Sequence, residues 1–199
     1  MRRFVIVGQK ATASGDFLLE DLPGTSGRLD VLLRCVRAAL LVSNGLRRDV
    51  VVYLVLLGGP RAPRVVRADA AGVKFVRPDE RSLSVLAKKV LSSSADASCS
   101  GFVEVRSGIS VASGGLDAAI ADLAGATPYV LEEGAPDIRD VAELGRHPSA
   151  FFIGDHLGFD QATRAQIAAI GARPIGVGPL PIHADDVIAV VSNELDRRR

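Results

Sequence analysis

Long apolar runs are missing from this chain of 199 residues. The longest, "VVYLVLLG" and "AALLV", fall far short of the roughly 20 residues a membrane helix needs, so no membrane association is expected. The opening "MRRFVIVGQK" lacks a secretory cleavage pattern, and the expected location is the cytoplasm. Cysteine is scarce: Cys35 and Cys99 sit in no metal-binding or redox spacing, which predicts incidental thiols, no structural disulfide and no metal site. Lysine occurs only at Lys10, Lys74, Lys88 and Lys89, so arginine carries most of the positive charge. Arginine forks suit phosphate, although codon preference gives the same bias. A net charge of +1 argues against wholesale coating of a polyanion. The spacings GxGxxG and GxxxxGK[ST] do not occur, which removes the usual phosphate cradles, and no internal repeat is visible.

What is present is a core-forming chain, 48% hydrophobic, enough for one domain over 1–199. A serine-rich stretch at 92–101 reads as a flexible connection between an N-terminal half, 1–92, and a C-terminal half, 102–199. Apolar periodicity alternates between strand and helix. Residues 4–8, "FVIVG", read as a strand. Residues 25–45 read as a helix with Ser26 as N-cap and Gly45 as stop. Its Leu29, Leu32, Leu33, Val36, Ala39 and Leu40 form one apolar stripe, with Asp30, Arg34 and Arg37 opposite. "DVVVYLVLLGG" (49–59) is a strand covered on both faces. "RVVRAD" and "VKFVR" are spaced as a hairpin, and "PDERSLSVLAKKVLSS" as a helix with acid first and lysine last. After 101 come "FVEVRSGISV", a helix at 115–125, strands at 127–133, 149–155 and 172–178, a helix at 161–171, and a final helix from about Asp185. The fold class is α/β, a mostly parallel sheet flanked by helices.

Ligands of open α/β sheets lie beyond the carboxyl ends of the strands. Three such ends carry unusual loops: "YVLEEG" (129–134), "IGDHLG" (153–158) and "VGPLPIH" (177–183). Gly154 and Gly158 permit close approach of a ligand to backbone, and Asp155 can cap the turn or accept hydrogen bonds. Loops of backbone groups and apolar side chains suit a neutral purine with a sulfonium-bearing tail better than a polyphosphate.

Taken together, "DLPGTSGRLDVLLRCV", "RRDVVVYLVLLGGP", "PDERSLSVLAKK", "IGDHLGF" and "PLPIHADD" resemble the archaeal tRNA pseudouridine N1-methyltransferases and their bacterial relatives. That family lies within the SPOUT, or α/β-knot, methyltransferases. The resemblance spans nearly the whole chain. It implies a C-terminal trefoil knot, a homodimer, S-adenosylmethionine as cofactor, and methylation of pseudouridine at position 54, in the tRNA T loop. It also implies cofactor binding by Leu131, Gly154, Val177, Gly178, Pro179, Leu180, Pro181 and Ile182, and RNA or nucleoside contacts through Arg28, Asp30, Arg34, Asp79 and Arg81. One departure stands out: Asp185, Asp186 and Val187 replace an Asn-His-Cys-like run, which adds negative charge and puts the substrate in question.

Methyl transfer to a ureide nitrogen needs in-line alignment and loss of the N–H proton. Asp30, Asp79, His156 and His183 are the candidates. Each has a plainer role open to it: a loop hydrogen bond for His156, a helix start for His183 and Asp79, and an i, i+4 surface pair with Arg34 for Asp30. A different acceptor (another RNA or a free C-nucleoside) and a non-catalytic RNA-binding or cofactor-sensing dimer remain the alternatives. Val187, Ile188, Val190, Val191 and Leu195 give the last helix a broad apolar face, either core or dimer seam, with the resemblance favouring a seam for part of it. Arg197 to Arg199 read as a solvated tail or an RNA contact.

Overall fold

A computed structural model of the protein describes residues 1–98 and 101–198; the expectations for Cys99 and Arg199 therefore lie outside the described residues. Strand β1 (Arg2–Thr12) pairs in parallel with β4 (Val50–Gly58) and, on its other side, with β9 (Ser149–Gly154). Beyond β9 follow β8 (Thr127–Leu131) and β10 (Arg173–Ile175), also parallel. Beyond β4 the sheet turns antiparallel through β5 (Arg64–Asp69), β7 (Ile109–Ser113) and β6 (Val103–Arg106). The order is β10-β8-β9-β1-β4-β5-β7-β6, so one sheet takes strands from both halves of the chain.

Continuous apolar strands arise because both faces are covered. Phe4 and Ile6 of β1 face one core cluster and Val5 and Val7 the other, and β4 divides its run in the same way. The first cluster is closed by α2 (Leu29–Leu40), α3 (Glu80–Leu91) and α6 (Ala184–Arg197); the second by α4 (Leu116–Ala121) and α5 (Gln161–Ala169).

Several expectations change in detail. The helix read over 25–45 begins only at Leu29, with Arg28 in the N-cap position. Ser26 still serves it, accepting the Leu29 N–H at 3.1 Å while donating to the carbonyl of Leu22 in the short α1 (Leu22–Thr25). The helix stops at Leu40, because residues 41–46 turn back as a tiny hairpin, β2 (Leu41–Val42) with β3 (Gly45–Leu46). Residues 73–77 form no strand; β5 takes β4 and β7 as neighbours instead of "VKFVR". The apolar face of α6 belongs to the core, since Val187, Ile188, Val191 and Leu195 are buried against the first cluster.

The first part of the serine-rich stretch, residues 92–96, is tethered rather than loose. Arg64, 1% exposed, donates to both carboxylate oxygens of Asp96 at 2.8 Å and to the carbonyls of Leu91 and Ser93. Arg61 reaches the same two carbonyls. A buried guanidinium must satisfy its donors, and this one does so by pinning residues 91–96 to the sheet. Arg198 likewise leaves the solvated tail: it pairs with Glu194 at 2.7 Å and donates to the carbonyls of Ile138, Arg139 and Val141.

Candidate functional site

The parallel strands β1, β9, β8 and β10 all end on one edge, and the loops that follow three of them enclose a cleft of about 780 Å³. After β9, Gly154 turns the chain into a tight return. A Cβ on Gly154 would lie 2.8 Å from Cα of Gly158, whose own φ of +70° is the left-handed region. Asp155, buried within this turn, accepts from the Leu157 N–H at 2.8 Å and from the Gln9 N–H at 2.9 Å. Its own N–H donates to the carbonyl of Val7. The acidic residue thus ties the loop to the end of β1.

The second wall comes from β10 and the segment after it. Gly176 is held between the carbonyl of Pro136 and the N–H of Ile138, and a Cβ there would stand 2.8 Å from the carbonyl oxygen of Ala135. From Val177 the chain runs along the cleft to His183. Leu180 is 73% exposed and Ile182 42%, large apolar side chains left uncovered at the rim of a cavity. Leu131 with Glu132 and Glu133, at the end of β8, closes this side.

Opposite lie the start of α2 and its arginines. Arg28, with φ +68°, is the one non-glycine residue among those described that has positive φ. That strained backbone lays the guanidinium over Asp30 in a two-pronged pair at 3.0 and 3.1 Å. Arg34, one turn on, donates to Asp30 at 3.1 Å and lies 3.8 Å from Asp185. Burial pushes the Asp30 carboxyl up, but the hydrogen bonds and charge of Arg28, with Arg34, more than offset this and hold it below the ordinary carboxylate range. Asp30 therefore faces inward, 2% exposed, and not with the solvent side of the helix as periodicity predicts.

Seven of the eight expected cofactor residues line this cleft: Leu131, Gly154, Val177, Gly178, Leu180, Pro181 and Ile182; Pro179 does not. Arg28, Arg34, His156 and His183 line it as well. His183 occupies the N-cap position of α6, yet its side chain makes no capping hydrogen bond. His156 stands 4.0 Å from Asp155. Asp79 lies elsewhere: it is the N-cap of α3, accepting from the Ser82 N–H at 2.8 Å, and neither it nor Arg81 lines the cleft of its own chain.

Sequence reasoning passed over Glu132, Glu133, Phe159 and Arg164. Arg164 pairs with Glu132 at 3.2 Å and lies over the Phe159 ring, joining two loops; the acidic pair inside "YVLEEG" was the available signal. Asp185 lines both the cleft and a second groove along α6, whereas Asp186 lines only the second. Among the described residues no group of three or more histidine, cysteine or acidic side chains could hold a metal. An organic ligand with an apolar body and a cationic part fits the apolar surfaces and carboxylates of this cleft.

A cleft of loops at the carboxyl edge of a mostly parallel sheet defines the class, an α/β fold with its ligand edge at these strand ends. The crystal structure of Archaeoglobus fulgidus Nep1 bound to S-adenosylhomocysteine has the same fold. It superposes with a TM-score of 0.66 over 98% of this chain and 97% of that one, at 16% identity. The chain belongs to the family of SAM-dependent RNA methyltransferases, whose model it matches over residues 1–199. Among its relatives, the tRNA (pseudouridine(54)-N(1))-methyltransferase of Methanococcoides burtonii is 41% identical over 99% of this chain and 96% of its own length. The proteins of the same description from Methanosarcina acetivorans and Halobacterium salinarum are 41% and 39% identical, covering 99% and 98% of this chain and 92% and 96% of their own lengths.

Proposed function

We propose that this protein methylates N1 of pseudouridine 54 in the T loop of tRNA, with S-adenosylmethionine as methyl donor. The observation that carries the reading is the two-sided character of the cleft in a chain whose full-length relatives are named for that reaction. One wall is apolar loop and backbone; the other is arginine. Bound S-adenosylmethionine supplies a methyl group on an electrophilic sulfonium. The chain's residues do the rest. Leu180 and Ile182, exposed in the free protein, are suited to covering an adenine, and Glu132, Glu133 and Asp185 supply negative charge for a cationic ligand. Arg28 and Arg34, braced by Asp30, offer donors to a phosphate. His183, unengaged as a cap, is positioned to take the N1 proton. Asp30 cannot easily do so, because both its oxygens are occupied by arginines.

The reading includes a trefoil knot, a homodimer and a cytoplasmic place of action. A groove of about 930 Å³ supports the dimer. It lies between the end of α2, the 41–46 hairpin, residues 74–78 and α6, and it carries Phe75 and Val42, 70% and 44% exposed. Asp79 and Arg81 would then act beside that seam.

Calorimetric titration with S-adenosylmethionine, followed by labelled-methyl transfer to tRNA with or without pseudouridine 54, tests the reading. Binding and transfer confined to the pseudouridine-containing tRNA uphold it. Binding without transfer points to another acceptor or a non-catalytic role, and absence of binding removes the methyltransferase reading altogether.

A further inference from the structure

One ion pair joins the loops that follow β8 and β9 at the wall of the cleft. Arg164 stands in the first turn of α5, whose cap Asp160 accepts from the Thr163 N–H at 2.8 Å. Thr163 and Ile167 anchor the helix by their burial, which leaves Arg164 exposed beside the strand ends. Its guanidinium lies over the Phe159 ring, 5.8 Å from the centroid, and its Nε donates to the Phe159 carbonyl at 3.2 Å. Nη1 meets Glu132, in the loop after β8, at 3.2 Å. All three residues line the cleft, and both charged side chains stay open to solvent. So exposed a pair adds little to folding. What it does provide is one charge of each sign, side by side, in a cavity that also presents Leu131, Gly154 and Leu180. It enters from its own direction as well: α5 covers the second core cluster and α2 the first, so Arg164 reaches the cleft from the face of the sheet opposite to that of Arg28 and Arg34.

We propose that Arg164 and Glu132 form the receptor for the zwitterionic amino-acid tail of S-adenosylmethionine, Arg164 taking the α-carboxylate and Glu132 the α-ammonium. The inference rests on the function proposed above. The tail carries its two opposite charges on one carbon, and a neighbouring guanidinium and carboxylate match both at once. On binding, the bond between Arg164 and Glu132 is exchanged for one from each to the ligand, so neither charge is left without a partner. The Phe159 ring and carbonyl hold the guanidinium at its Nε side, which leaves the Nη groups for the carboxylate. Arg28 and Arg34, on the other face, stay available to the RNA, so cofactor tail and substrate phosphate do not compete for one guanidinium. With the adenine covered by Leu180 and Ile182 and the tail held by this pair, the cofactor is gripped at both ends and its sulfonium is fixed between them.

The test titrates wild type, Arg164→Gln and Glu132→Gln with three ligands: S-adenosylhomocysteine, its analogue lacking the carboxylate, and methylthioadenosine, which keeps the adenosine and a neutral sulfur but has no tail. Wild type is expected to bind S-adenosylhomocysteine at least about tenfold tighter than methylthioadenosine. In Arg164→Gln that preference should shrink to about threefold or less, removal of the carboxylate from the ligand should cost nothing further, and methylthioadenosine affinity should stay within about twofold of wild type. Glu132→Gln should also lose preference for the tail, yet still register the missing carboxylate. Melting temperatures of both variants should stay within roughly 2 °C of wild type. Retention of the full preference in both variants overturns the proposal. So does an equal loss of S-adenosylhomocysteine and methylthioadenosine, since the pair would then only hold the loops together. A wild type that binds the two ligands alike overturns the inference and leaves the cofactor assignment standing, whereas a wild type that binds neither removes the cofactor assignment and this inference with it.

Discussion

Gly154 and Leu180 both border the cleft, but they answer to different physics. A side chain at Gly154 collides with the backbone of Gly158, so Gly154→Val should abolish S-adenosylmethionine binding by breaking the turn, with a clear fall in melting temperature. The obstacle is the loop's own closeness rather than space reserved for ligand. Leu180 touches little in the free protein; Leu180→Asp should weaken cofactor binding at least about tenfold while stability stays within roughly 0.5 kcal/mol. Calorimetry and melting curves on the two variants separate the roles, and normal binding in both would refute the pocket. At His183, replacement by asparagine should lower kcat by roughly 10²-fold or more with cofactor affinity intact. An unchanged kcat would remove His183 as proton acceptor.

Elements act through their ends and their fastenings. Asp79 caps α3, so Asp79→Ala should lower the melting temperature by roughly 2–4 °C, and Asp79→Ser, which can cap as well, should restore it. Methyl transfer by the serine variant then tests the chemistry separately: full activity makes the cap its whole contribution, and lost activity assigns it a part in the reaction. α2 shows how far periodicity carries. Its stripe of Leu29, Leu32, Leu33, Val36, Ala39 and Leu40 is buried as the spacing predicts. Asp30 breaks the pattern, because α6 and the Arg28 turn cover the side that the helix alone would leave to water. A helix wheel contains no information about a neighbour's arginines.

At the level of the whole molecule, charge pairing fixes the response to pH. Asp30, Asp96 and Asp196 are pushed up by burial but held below the ordinary carboxylate range by their arginines. Asp137, bonded by Arg139, lies at about 2. A carboxyl whose pKa is lower folded than unfolded adds stability above the unfolded value of about 4, and loses it as pH falls through the folded one. Tyr53, pushed up to about 12 by burial and its bond to Asp122, works in the opposite sense, losing its contribution as pH rises from about 10. Burial also pushes the Cys35 thiol up, so denaturant unfolding should show a plateau between about pH 5 and 8.5, with a steep fall on the acid side; constant stability down to pH 2 would show that these pairs contribute nothing.

Much of this was determined by the sequence alone. Alternating apolar periods set the order of strands and helices, continuous runs such as 50–56 required a sheet covered on both faces, and the glycine-bearing loops at 153–158 and 177–183 marked the edge where the cleft lies. Those signals are local, fixed by a strand's period of two, a helix's of 3.6 and the conformational demands of turns. Pairing is not local. That β5 takes β7 as its second neighbour and leaves "VKFVR" outside, that Asp96 fastens a stretch composed like a linker, and that Asp30 lies buried between two arginines depend on partners some 30 or more residues away, or on how the α2 turn folds back.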